Sequence, residues 1–191
     1  MTELARKQPL ELPLDRQIAE VFDHCFVAEY RTQLLGGAAE PLYLPAQQPG
    51  ALNQVYYRED FARSALHEAA HWCIAGETRR QLEDYGYWYE PDGRSEAKQR
   101  EFERVESRPQ ALEWFFAQAA GLPFGLSIDN LAGGEIDEFP FALAVWQQAR
   151  RYCADGLPDR AERFRRALAN TFGASLVVES QAFSLASLCR R

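Results

Sequence analysis

Residues 65–76 read ALHEAAHWCIAG. Three polar side chains, His67, Glu68 and His71, stand in a run that is otherwise apolar or small. On a helix, residues four apart lie on one face, one turn above the other. His67 and His71 therefore aim two imidazoles at a common point, and Glu68 lies about 100° round the axis from His67. His-Glu-x-x-His on a helix binds a divalent transition metal through its two histidines. The chain has only 3 histidines, so two of them at this spacing around a glutamate is a coincidence of roughly a few in a thousand. A helix that is apolar almost all round is a buried helix, and burying two imidazoles and a carboxylate without partners costs several kcal/mol. A bound metal removes that cost. The competing reading is a pair of structural histidines with hydrogen-bond partners.

The chain around this helix has 191 residues, 47% hydrophobic and 26% charged, the balance of one ordinary globular domain. A net charge of −7 disfavours nucleic acid as a partner, because phosphate contacts need a clustered positive face. No apolar run approaches the roughly 18 residues of a membrane span, and no secretory signal is visible at the N-terminus. Cys25, Cys73, Cys153 and Cys189 are widely spaced and form no Cys-x-x-Cys pair. A reduced, cytoplasmic protein without a cysteine-bound zinc is expected.

Residues 1–12 read as a flexible arm and 13–191 as a single domain. Asp15 is a plausible N-cap. Ile18, Val21, Phe22, Cys25, Phe26 and Tyr30 recur at helical spacing, so 15–35 reads as an amphipathic helix stopped by Gly36-Gly37. Residues 40–53 read as an ordered loop and 54–57, QVYY, as a short strand. The motif helix covers 60–76. Residues 95–107 read as a polar helix closed by Pro109, and 109–121 as a second, apolar one. Residues 138–154 and 158–172 give two more helices, and 176–189 a helical tail. The expected fold is mainly α (α+β), a compact single domain with a zincin-like metal-binding helix and at most a small sheet or hairpin.

A catalytic metal needs a third protein ligand. His24, the remaining histidine, reads as a structural residue at the edge of the first helix. Glu103 and Glu106 lie three apart on one helix face. Glu106 is preferred, because Val105 and the apolar run after Pro109 turn that end toward the core. Glu113 is a further alternative. Two histidines and a carboxylate suit two chemistries. With zinc they make a metallopeptidase in which Glu68 is the general base. With iron(II) they match the facial triad of non-haem oxygenases.

The segments HEAAHWCIAG (67–76), RRQLEDYGYWYEPDGR (79–94), FERVESRPQALEWFFAQAAGLPF (102–124) and SIDNL (127–131), with EPLYLPA (40–46) upstream, resemble the elongation factor P hydroxylase family. The likeness runs from about residue 15 to about residue 172. It implies a monooxygenase-type oxidoreductase whose protein substrate is elongation factor P carrying a β-lysyl group on a lysine. That modified lysine would be hydroxylated at an iron(II) centre, with zinc a metal it could carry as purified. By the same resemblance His67 and His71 are the histidine ligands, Glu106 the carboxylate, and Glu68 a catalytic group that holds water or steers a proton. No second-shell arginine marking a 2-oxoglutarate site is legible.

A long cationic lysine arm suits an acidic, aromatic channel. Asp84, Tyr85 and Tyr87, in DYGYWYEPDG, are candidate substrate-binding residues, against a plain hairpin. Asp129, beside Asn130, is another, against a turn or cap. Arg160, Arg163, Arg165 and Arg166 read as a solvated helix face rather than a docking surface.

Overall fold

The computed structural model describes residues 12–84, 95–128 and 137–189. Helix α1 (Leu14–Tyr30) leads into three strands, β1 (Thr32–Ala38), β2 (Leu42–Leu44) and β3 (Asn53–Arg58). The motif helix α2 (Ala62–Ile74) follows, then α3 (Glu96–Ala119), α4 (Phe139–Asp155), α5 (Asp159–Phe172) and a single turn, α6 (Leu185–Leu188). The fold is mainly α with one small sheet. Among the described residues no helix is long and apolar enough to cross a membrane.

Ile18, Val21, Phe22, Cys25 and Phe26 bury one face of α1, as their spacing predicts. The helix ends at Tyr30 rather than 35. Arg31 takes the left-handed conformation (φ 50, ψ 40) and caps the last turn through its N–H to the Val27 carbonyl. Residues 32–38 leave the helix because Leu34 packs into the core from a strand and its N–H is taken by the Asp23 carboxylate at 2.8 Å. Gly36 and Gly37 lie in β1, where the pairing with β3 shifts between Leu35 and Ala38. A Cβ on Gly36 would come within 2.6 Å of the Tyr57 hydroxyl, so only glycine lets the ring close over the strand. Asp15 is not an N-cap: Pro13 holds that position, and Asp15 is buried within the first turn, accepting a hydrogen bond from Tyr57 Oη at 2.8 Å.

The sheet order is β1-β3-β2, with β1 parallel and β2 antiparallel to β3. The expected strand is the central one, and Val55 and Tyr57 point from it into the core. The stretch expected as a loop contributes β2, whose Tyr43 pairs with Val55.

Helix α3 is one element of 24 residues, with Pro109 inside it, where two helices were expected. Proline in a helix interior costs about 3 kcal/mol. Residues 110–117 bury Gln110, Ala111, Leu112, Glu113, Trp114, Phe115, Phe116 and Ala117. Burying several side chains of this size, each worth roughly 1.5–3 kcal/mol, exceeds that cost and keeps the helix continuous. Alanines 65, 69 and 70 of α2 are fully buried, and their small side chains let neighbouring elements approach closely. The tail is not the helix expected over 176–189. Leu176, Val177 and Val178 are exposed, while Phe183 is buried and stacked on Phe115 with ring centroids 4.1 Å apart, and Leu188 packs against the core from α6.

Candidate metal centre

Helix α2 puts His67 and His71 one turn apart on the side facing α3. Their Nε2 atoms lie 3.0 Å from each other. Helix α3 brings Glu106 to the same place: Oε1 is 3.2 Å from His71 Nε2, and Oε2 is 3.5 Å from His67 Nε2. Ligand atoms held about 2.0–2.1 Å from one ion, at tetrahedral or octahedral angles, stand about 2.9–3.4 Å apart. Two of the observed separations fall in that range and the third, 3.5 Å, lies just beyond it, and His67, His71 and Glu106 form the cluster able to hold an ion among the described residues.

Hydrogen bonding among neutral side chains does not satisfy all of these groups. The His67 ring has its other nitrogen, Nδ1, 2.8 Å from Glu113 Oε2. With the proton there, Nε2 is a bare lone pair. In that neutral state at most one proton, on His71 Nε2, is left to share among two imidazoles and a carboxylate, and without an ion a further proton has to be taken up on His67. Glu106 Oε2 is buried with no hydrogen-bond partner. A buried, unpartnered carboxylate oxygen is expensive, and a cation between the three groups satisfies it.

The electrostatics say the same. Burial by itself pushes His67 down, but the Glu113 hydrogen bond and the charges of Glu113 and Glu106 reverse this and hold its pKa at about 10. Burial pushes Glu106 up, and the neighbouring His71 and His67 outweigh it, leaving a pKa of about 2. Without an ion, the site recruits a proton as its positive charge. Glu68 is raised, chiefly by burial, although both imidazoles oppose this.

A cavity adjoins the cluster, lined by Glu68, His71 and Trp72 of α2, by Tyr43 and Val55 of the sheet, and by Asp84. Asp84 is tied down from two directions. Its backbone bridges Tyr43, with N–H to O distances of 2.7 and 3.0 Å, and its carboxylate pairs with Arg79.

The sequence profile described as elongation factor P hydroxylase matches residues 21–183. A protein of Haemophilus influenzae named elongation factor P lysine hydroxylase is 54% identical over 151 residues, which is 79% of this chain and 85% of that protein. This chain belongs to the elongation factor P hydroxylase family. The likeness covers all three residues of the cluster and both helices that carry them.

For this family member, the structure sorts the candidate residues as follows. It brings together His67, His71 and Glu106. It places Glu68 and Asp84 on the cavity. Glu103 is one turn away along α3, where it accepts a hydrogen bond from Gln99 Nε2 at 3.0 Å, outside the cluster. His24 is exposed on α1. Tyr85, Tyr87 and Asp129 lie outside the described residues. Of the four arginines, Arg163 pairs with Glu29 and Arg165 with Glu162, while Arg160 is packed over Trp72 with its guanidinium carbon 4.6 Å from the ring centroid. Sequence reasoning missed the place of Glu113 and the part that Tyr43 plays in the cavity wall. The signal for Glu113 was present: Glu106 and Glu113 are seven apart, two turns along one face of a continuous helix. Splitting that helix at Pro109 hid it.

Proposed function

We propose that this chain hydroxylates a lysine side chain of elongation factor P, in its β-lysylated form and in the cytoplasm, at an iron(II) centre held by His67, His71 and Glu106, with residues 13–191 acting as one domain. The convergence of two imidazole nitrogens and a buried, unpartnered carboxylate oxygen carries the metal part of the reading. Membership of the family carries the substrate.

Bound iron(II) with open positions supplies the oxygen chemistry. The protein's own side chains do the rest. Val55, Trp72 and Leu42 give the cavity apolar walls that hold the aliphatic part of a lysine arm and keep bulk water from it. Glu68, which lines the cavity with His71 and has its carboxyl raised by burial, is the group that holds or passes a proton there. Asp84 lines the same wall, its carboxylate held by Arg79 and its backbone by Tyr43.

Mass spectrometry of elongation factor P from cells with and without this protein tests the proposal. A gain of about 16 Da, one oxygen atom, on the modified lysine is expected only where the protein is present. It is expected to vanish in His71→Ala. An unchanged mass after incubation with active, iron-loaded protein refutes the reading. Metal analysis of anaerobically purified protein, showing whether iron(II) or zinc supports turnover, decides the metal.

A further inference from the structure

Glu113 is a buried carboxylate on an apolar face. It is 3% exposed, between Leu112 and Trp114 in sequence, both also buried. A carboxylate in such a place is retained only if its charge is compensated. Its close partner is His67 Nδ1, 2.8 Å from Oε2; the Arg63 Nε, 3.9 Å from Oε1, is the next cation. Arg63 is itself anchored, since its Nη2 donates to the Gly125 carbonyl at 2.5 Å. The two nitrogens of an imidazole point in diverging directions. Glu113 on Nδ1 therefore cannot also reach the point on which Nε2, His71 and Glu106 converge. It is not a fourth ligand.

We propose that Glu113 is a positioning residue that sets the tautomer and ring orientation of His67, so that Nε2 is a bare, more basic lone pair aimed between His71 and Glu106. The inference rests on His67 being a metal ligand. Carboxylates in this outer position fix metal-bound histidines and are typically worth 10–100-fold in metal affinity. The two histidines of the motif are unequal here. Among the described residues, no carboxylate takes up His71 Nδ1, and His71 lines the cavity. One ligand is locked by a charged hydrogen bond from α3, and the other borders the space where substrate would enter. Glu106 and Glu113, two turns apart on α3, thus supply one ligand and the brace for another from a single rigid element.

The test titrates the metal-free full chain with cobalt(II), read by its visible absorption, for wild type, Glu113→Gln, Glu113→Ala and Arg63→Ala. Wild type is expected to bind one equivalent. The Glu113 variants are expected to bind about 10–100-fold more weakly. Arg63→Ala should lose less, because it touches the brace and not the ligand. Equal affinity of wild type and Glu113→Gln overturns the role of Glu113. No binding by wild type, or binding that survives His67→Ala, overturns the metal site itself. Should the Glu113 variants fail to fold, nitrogen-15 spectra of the zinc(II)-loaded wild type decide: a proton on His67 Nδ1 with Nε2 metal-bound supports the inference, and the reverse tautomer refutes it.

Discussion

Asp15 and Tyr57, buried between α1 and β3, and the histidine–glutamate group between α2 and α3 are both polar inclusions in an apolar core, and they close differently. Tyr57 is fully buried and donates its hydroxyl to Asp15 Oδ2 at 2.8 Å. Burial and the adjacent Asp15 carboxylate push the Tyr57 phenol above its ordinary range, so it stays a donor. Neither residue leaves a buried side-chain atom without a partner. The second group does leave one, Glu106 Oε2, and faces its lone pairs inward upon a common point. An inclusion whose donors and acceptors match holds two elements together. An inclusion with acceptors in excess holds a cation. Counting protons against lone pairs separates structural from functional polarity where burial alone does not.

The largest expected effect lies in the unmatched group. Glu106→Gln keeps the size of the side chain but removes the charge and one acceptor. Purified protein is expected to lose metal affinity by more than the ~100-fold of an outer-shell change, and hydroxylation with it, while its far-ultraviolet circular dichroism stays that of wild type. Metal content measured by plasma mass spectrometry checks this. A variant that still purified with a full equivalent would mean that the acceptors are not the reason for the convergence.

The matched pair should respond in the opposite sense. Tyr57→Phe strips the donor from a buried Asp15 and is expected to cost roughly 1–3 kcal/mol of stability in urea denaturation. Cobalt(II) affinity in the same variant should be unchanged. A parallel loss of metal binding would show that the two inclusions are not independent.

How far these arrangements were legible in the sequence depended on the range of the interactions that fix them. The motif helix and its pair of imidazoles are local, set by a spacing of four, and α2 forms where the pattern puts it. Periodicity also marked α4 and α5. What it misplaced were breaks and turns decided from a distance. Helix α1 stops at Tyr30 because Leu34 has a better place in a strand, and α3 runs through Pro109 because the residues after it are buried. Glu106 could be preferred from its neighbours, since Val105 and the apolar run turn that stretch inward. The role of Glu113 could not, because it requires knowing that both glutamates ride on one unbroken helix. Tyr57 read as a strand residue with no sign of its partner, which lies 42 positions earlier.

Asp23 offers the finest test, because its closure falls between the two. It is half-buried, and its Oδ1 accepts the Leu34 N–H at 2.8 Å, a matched contact, yet burial raises its pKa from the ordinary 3.8 to about 6, against the pull of that N–H and with help from Glu20. Between those values the folded protein keeps a proton that the unfolded chain has released. Stability contributed by Asp23 is therefore fully present below about pH 4 and is lost as pH rises through about 6. Solvent access reduces the full linkage to about 1 kcal/mol. Asp23→Asn retains an acceptor for the Leu34 N–H and cannot ionise. Urea denaturation from pH 4 to pH 8 should show the variant losing less stability than wild type across this range, with the gap opening between about pH 4 and 6. Parallel curves would place Asp23 with the fully matched pair, its carboxylate satisfied by the Leu34 N–H alone.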